Sequence, residues 1–209
     1  MKGRLVIVLL FTSALLAQEK NPVSTVLRDS LPRQQKNLVA AAEEMPAEKY
    51  SYKPTEPQME FGHLVVHVLE TNNFLCSKIG DVPEVKAAVP LKESDGKDKL
   101  VAGLKASFDF CTSALSKLDD SKLGDEVELF GGRKGSRALA MFILSNSWAD
   151  HYSAAAMYLR LSGLTPPTAQ PKKKSHRGAD LAVGGTSVCR STFGFSTGSA
   201  PDRSPARLG

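Results

Sequence analysis

The run Phe61-Gly62-His63-Leu64-Val65-Val66-His67-Val68-Leu69-Glu70 limits what this chain can fold into more than any other stretch. Leu64, Val65, Val68, Leu69, Leu75 and Ile79 recur three and four residues apart, with the polar Asn72 breaking into the same stripe. That is the 3.6-residue period of a helix with one buried face, and it is incompatible with the alternation of a strand. The helix is expected from about Gln58 to Ile79. His63 and His67, four apart, stack on nearly one side of it.

Three more segments carry the same period. Val23, Val26, Leu27, Leu31, Leu38, Val39 and Ala42 mark a helix from about Val23 to Glu44, which Pro32 is expected to kink or divide. Leu100, Val101, Leu104, Phe108, Cys111, Leu115 and Leu118 mark a third from Lys97 to Leu118, with Ser94-Asp95 expected to cap it. The fourth starts after Ser136, carries Ser147 and His151, and ends at about Ser162 before Gly163 and Pro166-Pro167. No segment shows strand alternation with hairpin turns. Residues 119–136, with four glycines, read as a polar and flexible connection whose apolar Val127–Phe130 stretch covers one end of the core. An all-α four-helix bundle is the simplest architecture, with connections long enough for either up-down or crossover topology.

The ends read differently. Met1-Lys2-Gly3-Arg4 followed by an apolar run to Leu16 and the small Ala14 and Ala17 is the pattern of a signal peptide at 1–17. Export is therefore expected, to the periplasm or beyond, with no membrane span left after cleavage, since the run is short for one. The bundle is expected over 18–168. From 169 to 209 the chain is rich in Gly, Ser, Arg and Pro and should be disordered, serving either as a basic arm for an anionic surface or as an extension without function. This tail holds the whole net charge of +5: residues 171–209 have seven Lys/Arg and two Asp/Glu, leaving 20 of each sign elsewhere. A basic nucleic-acid-binding face is not expected for the folded part. Of three cysteines, Cys189 falls in the tail. Cys76 and Cys111 lie on apolar helix faces, and a disulfide between them or two buried thiols fit equally well.

Tyr50-Ser51-Tyr52-Lys53-Pro54, Phe61-Gly62-His63-Leu64-Val65-Val66-His67 and Asn72-Asn73-Phe74-Leu75-Cys76 resemble, in order and spacing, exported bacterial members of the DinB superfamily. Ser107-Phe108-Asp109-Phe110-Cys111, Asp150-His151-Tyr152 and Tyr158-Leu159-Arg160-Leu161-Ser162-Gly163 extend the likeness to roughly residues 20–168. The resemblance implies a DinB-like bundle holding a divalent metal through one histidine of the second helix and an H-x-x-x-H pair of the fourth. Those positions map onto His67, Ser147 and His151. The serine departs from the pattern, because a hydroxyl is a poor ligand for zinc, nickel or manganese. His63, one turn before His67, is the candidate substitute as third ligand.

Three neutral imidazoles would leave an open coordination position for water or substrate. A metal-dependent hydrolase is one expectation. The other is a thiol S-transferase, as among characterised relatives, where the ion lowers the pKa of a small thiol. The competing expectation is a non-catalytic binding bundle with a degenerate metal site. No substrate is legible, and the resemblance allows a homodimer. Glu70 and Asp150 flank the two histidines in sequence; Asp150 reads as a solvated charge by default, with a partner or oxygen-ligand role beside His151 as the alternative, and Trp148 reads as core.

Overall fold

A computed structural model describes residues 20–85 and 90–171 of the 209-residue chain. The expected signal peptide and the tail beyond Pro171 lie outside the described residues. Four helices form the bundle: α1 (Pro22–Glu44), α2 (Phe61–Gly80), α3 (Lys97–Leu115) and α4 (Arg137–Leu161). Both α1 and α2 pack against α3 and α4, so the links from α1 to α2 and from α3 to α4 join helices on opposite corners. The topology is therefore a crossover one.

α1 continues through Pro32 without interruption. Leu27 and Leu31 before the proline and Leu38, Ala41 and Ala42 after it are all buried on one face. Burial on both sides outweighs the single backbone hydrogen bond that a proline removes. Its N-terminus is closed from a distant loop: the Asp120 carboxylate accepts from Val23 N and Ser24 N at 2.9 and 2.8 Å and from Ser24 Oγ at 2.6 Å. The α3 cap also differs from expectation. Gly96, at φ 85°, takes the N-cap position after a short 3-10 turn at Glu93–Asp95.

The α3–α4 connection is more ordered than its glycines imply. It contains two three-residue antiparallel strands, β1 (Glu126–Glu128) and β2 (Lys134–Ser136), with Val127 opposite Gly135. Strands this short leave almost no alternation to read. The turn between them puts Gly131 and Gly132 at φ 70° and 72°, a region that other residues avoid.

The α1–α2 link is held by aromatic rings. Tyr50 Oη donates to Ala42 O at 2.7 Å and Tyr158 Oη to Met59 O at 2.6 Å, and Phe61 packs between these two rings. Gly62 N donates to Tyr50 O at 2.7 Å, and a β-carbon at Gly62 would come within 2.9 Å of Glu93 O.

α2 and α4 run antiparallel along their whole length. At one end the guanidinium of Arg137 donates to the Lys78 carbonyl at 3.1 Å and to that of Ile79, satisfying the C-terminus of α2 with a cation. Midway, Trp148 Nε1 donates to Asn72 Oδ1 at 2.7 Å, and Asn72 Nδ2 donates to Ser107 Oγ at 3.0 Å. Asn72 and Trp148 are fully buried and Ser107 nearly so. One polar side chain of α2 thus binds α3 and α4 together. One turn further, Cys76 and Cys111 form a disulfide with Cα atoms 5.2 Å apart.

Two outcomes follow. Asn72→Leu keeps the volume but leaves the buried Trp148 N–H without an acceptor, and is expected to cost about 1–3 kcal/mol in denaturant unfolding. Cys76→Ala with Cys111→Ala removes a cross-link spanning 35 residues. Loop-closure entropy puts that loss at roughly 3–4 kcal/mol, read as a shift in the unfolding midpoint that reductant reproduces in the parent protein.

Candidate functional site

The antiparallel seam of α2 and α4 brings His67 and His151 face to face, with ring centroids 4.9 Å apart and planes inclined by 41°. Both side chains are partly buried, at the edge of the core and not in a central cavity. His151 Nδ1 lies 2.6 Å from the backbone carbonyl of Ser147, one turn earlier. A carbonyl only accepts, so Nδ1 carries the proton, and in the neutral ring Nε2 bears the lone pair. This is the tautomer that a metal-binding histidine adopts when a carbonyl orients it. The Ser147 hydroxyl sits 3.2 Å from the same Nδ1.

Burial holds His67 below the ordinary imidazole value, and the neighbouring His151 and His63 push the same way, against Glu70. His67 is therefore neutral at neutral pH.

His63 is exposed, one turn before His67. Among the described residues no group of three His, Cys, Asp or Glu side chains is placed to hold a metal ion. The histidines at 67 and 151 come together, and His63 does not complete a ligand set with them. The side chains present do not fit a three-ligand centre: two imidazoles suit a borderline ion, while the third position is a neutral hydroxyl turned to a protonated ring nitrogen.

Two hollows flank His67. The larger, about 750 Å³, lies between α2 and α3 and reaches Phe74, Leu91, Gly103 and Phe130. The smaller, about 460 Å³, lies along α4 and is lined by Phe142, Asn146, Ser147 and Asp150. Phe130 borders both. Its ring stacks on Phe74 at 4.8 Å, and the Gly131-Gly132 turn that follows it sets its position. Phe74, Leu91, Phe130 and Glu70 were not legible as cleft residues. Only the glycine pair beside an apolar residue hinted that Phe130 is held in place.

The profile of the DinB superfamily matches residues 30–147, more than half of the chain. The chain belongs to that superfamily. Among solved structures it is similar to the DinB-like protein YjoA of Bacillus subtilis, with 21% identity and a TM-score of 0.56, covering 71% of this chain and 99% of that one. It is likewise similar to a DinB-like protein of Bacillus cereus, with 18% identity and a TM-score of 0.56, covering 68% and 93%. At such identities the likeness speaks to the fold. No curated protein matches the chain.

The lowered His67 pKa fixes a pH trend. Unfolded, this imidazole protonates near 6.5, whereas folded it does so only at lower pH. The unfolded chain therefore binds more protons in that window, and stability is lost as pH falls below about 6.5. The melting temperature of the parent should fall more steeply than that of His67→Gln between about pH 7.5 and about pH 5. Parallel curves would exclude this assignment.

Proposed function

We propose that this chain is an exported, non-catalytic binding member of the DinB superfamily, whose metal centre is reduced to a pair of imidazoles and whose cleft takes a small molecule. Ser147 carries the reading. Its hydroxyl faces the donor nitrogen of His151, at the position where the family resemblance places a histidine. The Cys76–Cys111 disulfide supports export, because such bonds persist in oxidising compartments.

A second reading has its own observation. The bare Nε2 of His151 and the neutral His67 would suit a divalent ion completed by an exogenous ligand. That arrangement would serve a metal-dependent hydrolase or thiol S-transferase.

Metal titration of the parent, His67→Ala, His151→Ala and Ser147→His separates the two. The expected result is no stoichiometric zinc, nickel or manganese at micromolar concentration in the parent, and zinc affinity higher by about tenfold or more in Ser147→His. One tightly held equivalent in the parent, lost in both alanine variants, would overturn the proposal in favour of the metalloenzyme.

A further inference from the structure

We propose that the chain forms a homodimer through the outward face of α4, two copies of that helix lying antiparallel across a twofold axis near Ala149.

α4 is apolar on more than the side it buries. Leu144, Trp148 and Leu159 on its inner side are fully buried. On the opposite side Leu139, Phe142, Asn146, Ala149, Ser153 and Met157 recur three and four residues apart, and all are exposed. A helix that needs one buried stripe keeps charged and polar residues on its other side. Apart from the buried Arg137, the ionised residues of α4 are Asp150 and Arg160, against six in the slightly shorter α1. Both lie at the flanks of the outward stripe. Asp150 borders the smaller hollow beside His67, and Arg160 Nη1 donates back to the Ala156 carbonyl at 3.4 Å. The centre of the stripe is uncharged.

The area of this face is that of an interface. Leu139, Phe142, Met157 and Leu161 are 44, 64, 41 and 57% exposed, and Phe130, which shares the smaller hollow with the first two, is 40% exposed. At about 200 Å² for each such side chain, one copy presents about 500 Å² of apolar surface. Monomers rarely leave a patch of that size uncovered. The exposed small and polar residues between bring the face close to the roughly 800 Å² per partner of a standard interface.

A second copy fits because the stripe is its own complement. A twofold axis near Ala149 sets Phe142 against the partner's Met157, Asn146 against the partner's Ser153 and Leu139 against the partner's Leu161. Large apolar side chains then meet at both ends, while the small Ala149 and Ser153 between them let the two backbones approach. The partner's Leu161 falls at the mouth of the smaller hollow, which Leu139 lines. The second copy therefore closes the outer side of the space beside His67 and Ser147.

Sedimentation velocity of the full chain, with a chelator present, tests this. Dimers should form with a dissociation constant of about 1–100 µM. Phe142→Asp and Met157→Lys each replace an exposed side chain. Each should keep the melting temperature of the monomer while weakening the dimer by about tenfold or more. Combining the two substitutions sets opposite charges against each other across the axis, and should regain about threefold or more over either alone. The two positions lie about 22 Å apart on one helix, so this pair cannot form within a single copy. Ala102→Asp, exposed on α3 at the opposite corner of the bundle, should leave association unchanged. A monomer throughout that concentration range, a dimer indifferent to Phe142→Asp, or a combined variant no tighter than the single ones would each overturn the proposal.

Discussion

The hydrogen bond from Trp148 Nε1 to Asn72 Oδ1 is the constraint on which the site depends. Both groups are buried and neither has water to turn to, so separating them would strand a donor and an acceptor in the core. The bond fixes how α4 is rotated and how far it is shifted along α2. With Trp148 turned inward, Ser147 and His151 fall on the flank of α4 at the seam, opposite His67 on the preceding turn and a half of α2. A slip of one residue would move a side chain about 100° around the helix and break the imidazole pair. Asn72 also holds Ser107, so α3, which supplies one wall of the cleft, is locked to the same point. The polar knot therefore sets the geometry of a site in which it takes no part.

How much of this was legible depended on whether the signal was local. The four helices were, because burial of one face repeats along the sequence every three to four residues. Asn72 was visible as a polar residue in an apolar stripe, but its partners at 107 and 148 come from other helices. Pro32 misled because its local penalty is smaller than the burial of Leu31 and Leu38 on one continuous face. The β1–β2 hairpin was missed because three residues per strand cannot display a period. The pairing of Cys76 with Cys111 stayed open for a like reason: spacing along two helices does not give the distance between them. His67 and His151 were singled out, yet their approach to 4.9 Å depends on the register of α2 against α4.

Ser147 acquires a definite consequence from this geometry. A helix exposes its side chains at four-residue spacing on one side, so 147 and 151 can act on one object. Here they act on each other. The Ser147 carbonyl takes the proton of His151 Nδ1, and the hydroxyl lies beside the same nitrogen. His151 is thus oriented by Ser147 through Nδ1, which leaves Nε2 as the ring's acceptor atom. Orientation of one imidazole survives without the coordination number that would give an ion tight binding.

The walls bear on the two occupants weighed above, a divalent ion and a small organic molecule. Glu70, one turn from His67 on α2, is exposed, and among the described residues it does not complete a ligand set with the two histidines. Discrimination falls to what lies behind the charge. A divalent ion loses much of its hydration on binding and needs several inward-pointing donors to replace it; two imidazoles supply only part. A small organic molecule gains instead from burying carbon surface, for which Phe74, Phe130 and Leu91 provide the walls. Lacking a third ligand but retaining apolar walls, the residues around His67 offer less to a divalent ion than to the carbon surface of a small organic molecule.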